Sequence, residues 1–456
     1  MDYRIFPPEE LIEDGVVTLT LSKSIQNREM ILAALTPGGV PAEYAGTANG
    51  DAAPSADCVD VVVMRGALEE IAASDPGEIV VRAGESGTAL RFLCAYLAVQ
   101  EGYEAVLTGE PGLLKRPVRG LVNSLRQLGA SIDYLGQEGY APLRIRGRRL
   151  AGGEVEVDAT TSSQFVSALM MIAPTMEQGL TIRFDGEPVS VPYIKMTASL
   201  MARWGVEVEQ TPMSVTVPTG CYRVAEPLAE GDWSGAAFWY EVVALTAGWV
   251  SLKPLLSPTE SVQGDAATAR LFECLGVLTE PSEDIPGAVS LSPSPEVFGR
   301  LDLNLSDNPD LVPALAVTCC MLGVPFKFDG LKTLGIKESD RLQAVTVEMQ
   351  KIGCMVEKIC DYGLEWDGRR KPILEMPVFD SHGDHRLAMA FAPVSAYVPG
   401  IVVRDVECVD KSYPGYWDSL RALGFQTLDP SQPVEGQSGS DEAETLSDSS
   451  EKEVEE

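Results

Sequence analysis

Six times along its 456 residues this chain runs a polar turn into an apolar helix of small side chains. The turns are rich in Ser, Gly, Asp or Asn. The segments are SKSIQNREMILAAL from Ser22, GESGTALRFLCAYLAV from Gly84 and TSSQFVSALMMIAP from Thr161. They continue with GDWSGAAFWYEVVALTAG from Gly231, SDNPDLVPALAVTCCMLG from Ser306 and GDHRLAMAFAPVSAYVPG from Gly383. Their starts lie about 60–80 residues apart, room for one supersecondary unit each. A helix that is apolar almost all round must be covered on every side. These six therefore belong inside the fold, with sheets outside them.

Five units also carry a second, amphipathic helix. These are GLVNSLRQLGASIDYL from Gly120, YIKMTASLMARWGVEVEQ from Tyr193, ATARLFECLGVL from Ala267, SDRLQAVTVEMQKIGCMVEK from Ser339 and YWDSLRALGFQTL from Tyr416. Apolar residues recur at helical spacing, and a glycine closes each helix where a positive φ is needed. The first unit, DVVVMRGALEEIAASDPGEIVV, has the helix without that stop. Runs such as EIVVRA, LTIRFD and GIVVRDVE supply strands between helices. The chain therefore reads as α/β, with six βαβ-like units. It is too long for one ordinary core, so two domains of three units each follow. No G-x-G-x-x-G follows a strand, so Rossmann layering is not expected.

Net charge is −32, which excludes a general nucleic-acid binder: nothing would offset phosphate repulsion. Part of that charge lies in residues 429–456, where ten acids face one lysine and apolar residues are almost absent; this tail is predicted to be disordered. No window holds the ~20 apolar residues of a membrane span, and the acidic N-terminus has no secretion core, so a cytoplasmic protein is expected. Nine cysteines without a C-x-x-C pair point to reduced thiols. Only His382 and His385 are present, which argues against a histidine zinc site.

Helix N-termini expose unpaired amide N–H groups and the positive end of a dipole. Six such ends converging on one cleft would suit a polyanion. The basic residues near these turns agree with that reading: Lys23, Arg28, Arg116, Lys337, Arg341, Arg386 and Lys411.

The segments SKS..NR, GESGTALR, LTGEP..KRP, SSQF, KESDRL and GDHRLAMAF, in that order, resemble the signature set of the EPSP synthase family of enolpyruvyl transferases. The likeness runs from about Leu19 to Leu428. It implies a two-domain inside-out α/β barrel, each domain made of three βαβαββ units and closing on substrate. The implied division is 1–19 plus 233–428 for one domain and 20–232 for the other. The implied reaction joins phosphoenolpyruvate to the 5-hydroxyl of shikimate 3-phosphate and releases phosphate, with no cofactor and no metal, in a monomer. By the same resemblance, shikimate 3-phosphate would be held by Lys23, Ser24, Arg28, Ser162, Ser163, Gln164, Ser190, Tyr193, Asp310 and Lys337. Phosphoenolpyruvate would meet Lys23, Gly87, Arg116, Gln164, Arg341, Arg386 and Lys411. Asp310 resembles the base that takes the 5-hydroxyl proton, and Glu338 the acid that protonates the methylene carbon; Lys23 touches both substrates. Several arginines suit a ligand of about three negative charges, because bidentate pairs fix its orientation.

Three departures from the family pattern stand out. Glu85 replaces a usual Asn and would set an extra carboxylate beside an anion site, Phe92 replaces a proline, and Thr333 replaces an Asn. The related UDP-N-acetylglucosamine enolpyruvyl transferase typically carries a reactive cysteine before an Arg-Pro, whereas GEPGLLKRP has none. A non-catalytic anion-binding homologue would have no reason to keep both Asp310 and Glu338.

Overall fold

The computed structural model describes residues 1–38 and 57–431. The acidic tail from residue 432 onward lies outside the described residues. The chain opens with two strands, β1 (Tyr3–Phe6) and β2 (Gly15–Thr18), then two helices, α1 (Lys23–Leu35) and α2 (Val59–Ala73). A full unit follows: β3 (Glu78–Arg82), α3 (Gly87–Ala98), β4 (Glu104–Thr108), α4 (Arg119–Gln127), β5 (Ser131–Tyr134) and β6 (Leu143–Arg146). The next repeats it with β7 (Gly153–Asp158), α5 (Ser163–Ile172), β8 (Leu180–Asp185), α6 (Val191–Arg203), β9 (Glu209–Thr211) and β10 (Ser214–Val217). Then come α7 (Trp233–Thr246), β11 (Val250–Lys253), α8 (Thr268–Glu273), β12 (Leu275–Pro281) and β13 (Val289–Val297). A further unit holds β14 (Leu301–Asn304), α9 (Val312–Leu322), β15 (Phe326–Asp329), α10 (Arg341–Lys351), β16 (Glu357–Ile359) and β17 (Gly363–Trp366). The last elements are β18 (Val378–Phe379), α11 (His385–Phe391), β19 (Ile401–Val403), α12 (Tyr416–Ala422) and β20 (Gln426–Leu428).

Five four-stranded sheets form among the described residues, and each has the same pattern of pairing. In four of them two strands joined through a helix pair in parallel, as β3 with β4 and β7 with β8, and two antiparallel strands complete the sheet; in the fifth the parallel pair is β2 with β11, from distant parts of the chain. Two sheets borrow from the chain start. Strand β2 pairs in parallel with β11, and β1 sits between β19 and β20. The helices α1 and α2 belong to the sixth unit. Residues 39–56 between them lie outside the described residues, and no described sheet belongs to that unit.

The two helix types predicted from sequence differ as expected in burial. Every residue of α11 is buried, as are all but Leu322 of α9 and all but Gln164 of α5. Amphipathic α4 buries only Leu121, Val122, Ser124 and Leu125. The sheets outside show one face to solvent, as β7 does with Val155 and Val157 buried and its glutamates exposed. This is the inside-out α/β architecture. Glycines 129, 205, 353 and 424 sit at positive φ just beyond α4, α6, α10 and α12, as predicted. The Gly276 stop is different: α8 ends at Glu273, and Gly276, at φ +82°, falls where the register of β12 shifts.

Two hydrophobic cores result. One gathers side chains from Ile25 to Tyr222. The other joins Ile5–Leu19 to Trp233–Phe425. The chain passes between them twice, in adjacent antiparallel segments. Ser22 N–H donates to Glu230 O at 2.8 Å, and Asp232 N–H to Thr20 O at 2.9 Å.

Among the described residues no helix is long and apolar enough to cross a membrane. All nine cysteines are unbridged, and Cys221 and Cys360 are exposed.

Candidate active site

A cleft opens between the two cores, and the starts of all six apolar helices reach it. Lys23 and Ser24 begin α1, Gly87 and Thr88 begin α3, and Ser163 and Gln164 begin α5. Asp232 and Ser234 flank the start of α7, Pro309 and Asp310 form the turn leading into α9, and His385 and Arg386 begin α11. Short polar caps set these ends. Ser86, Ser162, Asp232 and Asp384 each accept a backbone N–H from the first turn of their helix. Helix dipoles therefore point their positive ends into one space.

Cations and carboxylates are interleaved there. Glu338 meets Arg116 at 2.8 Å, Arg341 at 3.0 Å and Lys411 at 3.5 Å. Burial alone would raise its pKa, but Arg341, Arg116 and Lys411 outweigh burial and hold it well below the usual carboxylate range. Asp310 meets Arg341 at 2.7 Å, Lys337 at 3.2 Å and Arg386 at 3.4 Å. Burial again opposes ionisation, and Arg386, Lys337 and Arg341 again prevail. Both acids are thereby held ionised.

Arg341 is the hub. Its side chain is 2 % exposed, and besides both acids it binds Asp384 through Nε at 2.7 Å. Lys23 reaches only one carboxylate within 4 Å among the described residues, Asp60 of α2, at 3.1 Å. Burial works against its charge, yet Asp60 leaves its pKa raised, so the ammonium persists. Gln164 is locked at both ends of its amide: Oε1 accepts from Arg91 Nη1 at 2.6 Å, and Nε2 donates to Thr88 Oγ1 at 3.0 Å. A Cβ at Gly87 would lie 2.5 Å from Arg116 Nη1, so a side chain there would displace that guanidinium.

The cleft lining includes Lys23, Ser24, Gly87, Arg116, Ser162, Ser163, Gln164, Ser190, Tyr193, Asp310, Lys337, Glu338, Arg341 and Arg386. Lys411 stands just behind, against Glu338. Arg28 differs: it is 2 % exposed and outside the lining. Its nitrogens donate to Thr197 Oγ1, Ser24 O and Ser167 Oγ, so its planar fork serves the wall. Phe92, fully buried, packs its ring 5.2 Å from the Arg28 guanidinium. Glu85 is exposed and outside the lining, so it adds no carboxylate to the cleft; it faces the turn at Gly112. Thr333 does line the cleft.

Sequence reasoning missed Asp60, Arg91, Asp232, Ser234 and His385, which also line it. Arg91 lies one helical turn after Gly87, and Asp232 caps a helix as Ser86 and Ser162 do, so both carried a readable signal. Asp60 carried none, sitting among valines. His385 is 2 % exposed, and burial followed by Lys23 and Arg386 holds its imidazole neutral.

Comparison with known proteins bears on this arrangement. The family described as EPSP synthase (3-phosphoshikimate 1-carboxyvinyltransferase) matches residues 52–420. A 3-phosphoshikimate 1-carboxyvinyltransferase of Bacteroides fragilis is 40% identical over 429 residues, covering 93% of this chain and 98% of its own. One from Methanoculleus marisnigri is 36% identical over 351 residues, 76% of this chain and 80% of its own. An EPSP synthase structure from Acinetobacter baumannii superposes with a TM-score of 0.69 at 21% identity, over 94% of this chain and 100% of that one, a likeness of fold. With its match across most of the length and its identity to these relatives, the chain belongs to the EPSP synthase family.

Proposed function

We propose that the protein transfers the enolpyruvyl group of phosphoenolpyruvate to the 5-hydroxyl of shikimate 3-phosphate, giving 5-enolpyruvylshikimate 3-phosphate and phosphate. The observation that carries this reading is one cleft where six helix starts and several cations surround two carboxylates held by different partners. Family membership supplies the substrates.

Asp310, ionised among Arg386, Lys337 and Arg341, would accept the proton of the 5-hydroxyl. Glu338 must deliver a proton to the methylene carbon of phosphoenolpyruvate while the hydroxyl oxygen attacks C2. Its cationic neighbours hold it ionised, so it has to gain that proton first. A bound trianion competes for Arg116, Arg341 and Lys411, and their withdrawal returns Glu338 toward its protonated form. The tetrahedral intermediate then loses phosphate as a methyl proton returns to base. Lys23, Gln164, Gly87 and Arg386 would hold phosphoenolpyruvate with those three cations. Ser24, Ser162, Ser163, Ser190, Tyr193 and Lys337 would hold shikimate 3-phosphate, with Lys23 and Gln164 touching both substrates. Arg28 would join them only by leaving its present partners. We assign residues 1–19 and 233–428 to one closing domain and 20–232 to the other. The paired crossings near Thr20–Ser22 and Glu230–Asp232, and the separate cores, support that division.

Purified protein should release phosphate only when both substrates are present. Absence of release above background at millimolar concentrations, or release with UDP-N-acetylglucosamine in place of shikimate 3-phosphate, would overturn the assignment.

A further inference from the structure

A buried carboxylate outside the cleft ties three of its walls together. Asp265 lies in a short turn before α8 and is 2 % exposed. Its Oδ2 accepts from Ser234 Oγ, in the first turn of α7, and from Tyr193 Oη at 3.2 Å. Its Oδ1 accepts from Asn308 Nδ2 at 3.0 Å, and the same amide donates to Gly264 O at 2.9 Å. Ser234 and Tyr193 line the cleft, and Asn308 stands two residues before Asp310. Tyr193 comes from the opposite core, so the tie spans both lobes.

The seam around this tie is built with some strain. Ser190 holds φ +54°, ψ +43°, a left-handed conformation that only glycine adopts freely, and its N–H donates across to Ser306 O at 3.0 Å. Val191 N–H donates to Asp307 Oδ1 at 3.2 Å. Pro192 packs so closely on Gly264 that any Cβ at 264 would collide with its ring. The segment Ser190–Tyr193 is thus seated on Gly264–Asp265 and Ser306–Asn308 in one continuous contact.

We propose that Asp265 is a positioning residue that couples seating of the Ser190–Tyr193 wall to placement of Asp310, so that binding of the phosphorylated acceptor and alignment of the base occur together. Three donors share one carboxylate in a buried site. Loss of one loosens the others, because each bond has fixed the carboxylate for the next. A carboxylate with a purely local role would tie elements of one lobe. This inference rests on the assignment of shikimate 3-phosphate as acceptor.

The test is Asp265→Asn, with Tyr193→Phe and the double variant, assayed by phosphate release with each substrate varied in turn. Asp265→Asn should raise KM for shikimate 3-phosphate roughly tenfold to a hundredfold and lower kcat, as loss of hydrogen bonds to a charged group does. KM for phosphoenolpyruvate should move less than threefold. The double variant should be no worse than Asp265→Asn alone, because the tyrosine hydroxyl is committed to Asp265 and any contact of Tyr193 with the acceptor is made by the ring, which phenylalanine keeps. Additive losses, or equal losses on both substrates, would overturn the proposal. If Asp265→Asn does not fold, Tyr193→Phe combined with Asn308→Ala carries the same cycle, with the same meaning for additive losses. Wild-type protein inactive with both substrates would instead sink the functional assignment beneath it.

Discussion

Removing the Arg116 guanidinium puts the layout of the cleft to a quantitative test. Arg116 crosses from one lobe to Glu338 of the other at 2.8 Å, with the two side chains 15 % and 14 % exposed. Truncating one member of a buried, hydrogen-bonded charge pair costs about 2–5 kcal/mol. Partial solvent access here screens the pair and favours the lower part of that range, about 2–4 kcal/mol. If the same cation binds phosphoenolpyruvate, Arg116→Ala should lower kcat/KM for that substrate roughly 30- to 1000-fold. Arg116→Lys keeps the charge and loses the planar fork, a smaller cost of about 1–2 kcal/mol, or roughly 5- to 30-fold. The assay is initial phosphate release at saturating shikimate 3-phosphate, then the converse. KM for shikimate 3-phosphate should stay within about threefold in both variants, within the context scatter of such contacts. An Arg116→Ala enzyme within threefold of wild type, or one that loses affinity for both substrates alike, would refute the placement.

Three further outcomes follow from the geometry. Gly87→Ala puts a methyl 2.5 Å from Arg116 Nη1 and 3.1 Å from Arg91 Nη1, so KM for phosphoenolpyruvate should rise about tenfold with the acceptor KM unchanged, read by the same assay. Glu338 is held ionised by Arg341, Arg116 and Lys411 against burial, so formation of the ternary complex should take up as much as one proton near pH 7. Calorimetry in buffers of different ionisation enthalpy measures this uptake. It should vanish in Glu338→Gln, and a zero slope in wild type would contradict the mechanism. Glu241 is fully buried on α7 with neither carboxyl oxygen hydrogen-bonded among the described residues, and burial pushes its pKa well above 4.5. A raised acid is protonated when folded and ionised when unfolded, so stability falls as pH climbs above 4.5 toward the folded value. Glu241→Met should remove that slope and add on the order of 1–3 kcal/mol at neutral pH in urea melts; an unchanged midpoint would count against it.

Much of the fold was legible because apolar periodicity and closing glycines are local signals. All six buried helices and all six amphipathic ones stand where the pattern put them. The origin of the borrowed strands was not legible. β1 pairs Arg4 with Val402 and with Leu428, and nothing in either segment names a partner some 400 residues away. Gly276 shows the same limit, since the glycine that ends a helix elsewhere serves a strand irregularity here. In the site, turn-opening residues could be read because their helices could be. Asp60 could not, because its pairing with Lys23 depends on how α2 lies against α1. Arg28 carried the right motif, yet its present partners Ser167 and Thr197 come from α5 and α6, whose packing no motif records.

The borrowed strands also impose an order on biosynthesis. One core is complete once Tyr222 has left the ribosome, whereas the other waits for Phe425 to join side chains made at the very start, from Ile5 to Leu19. During that interval β1 must remain unpaired beside a finished neighbour, because both of its partners, β19 and β20, are made last, whereas β2 meets β11 much earlier. An early stop codon in the last unit would therefore strand both ends of the polypeptide at once, leaving half a molecule able to fold and half with an open sheet edge.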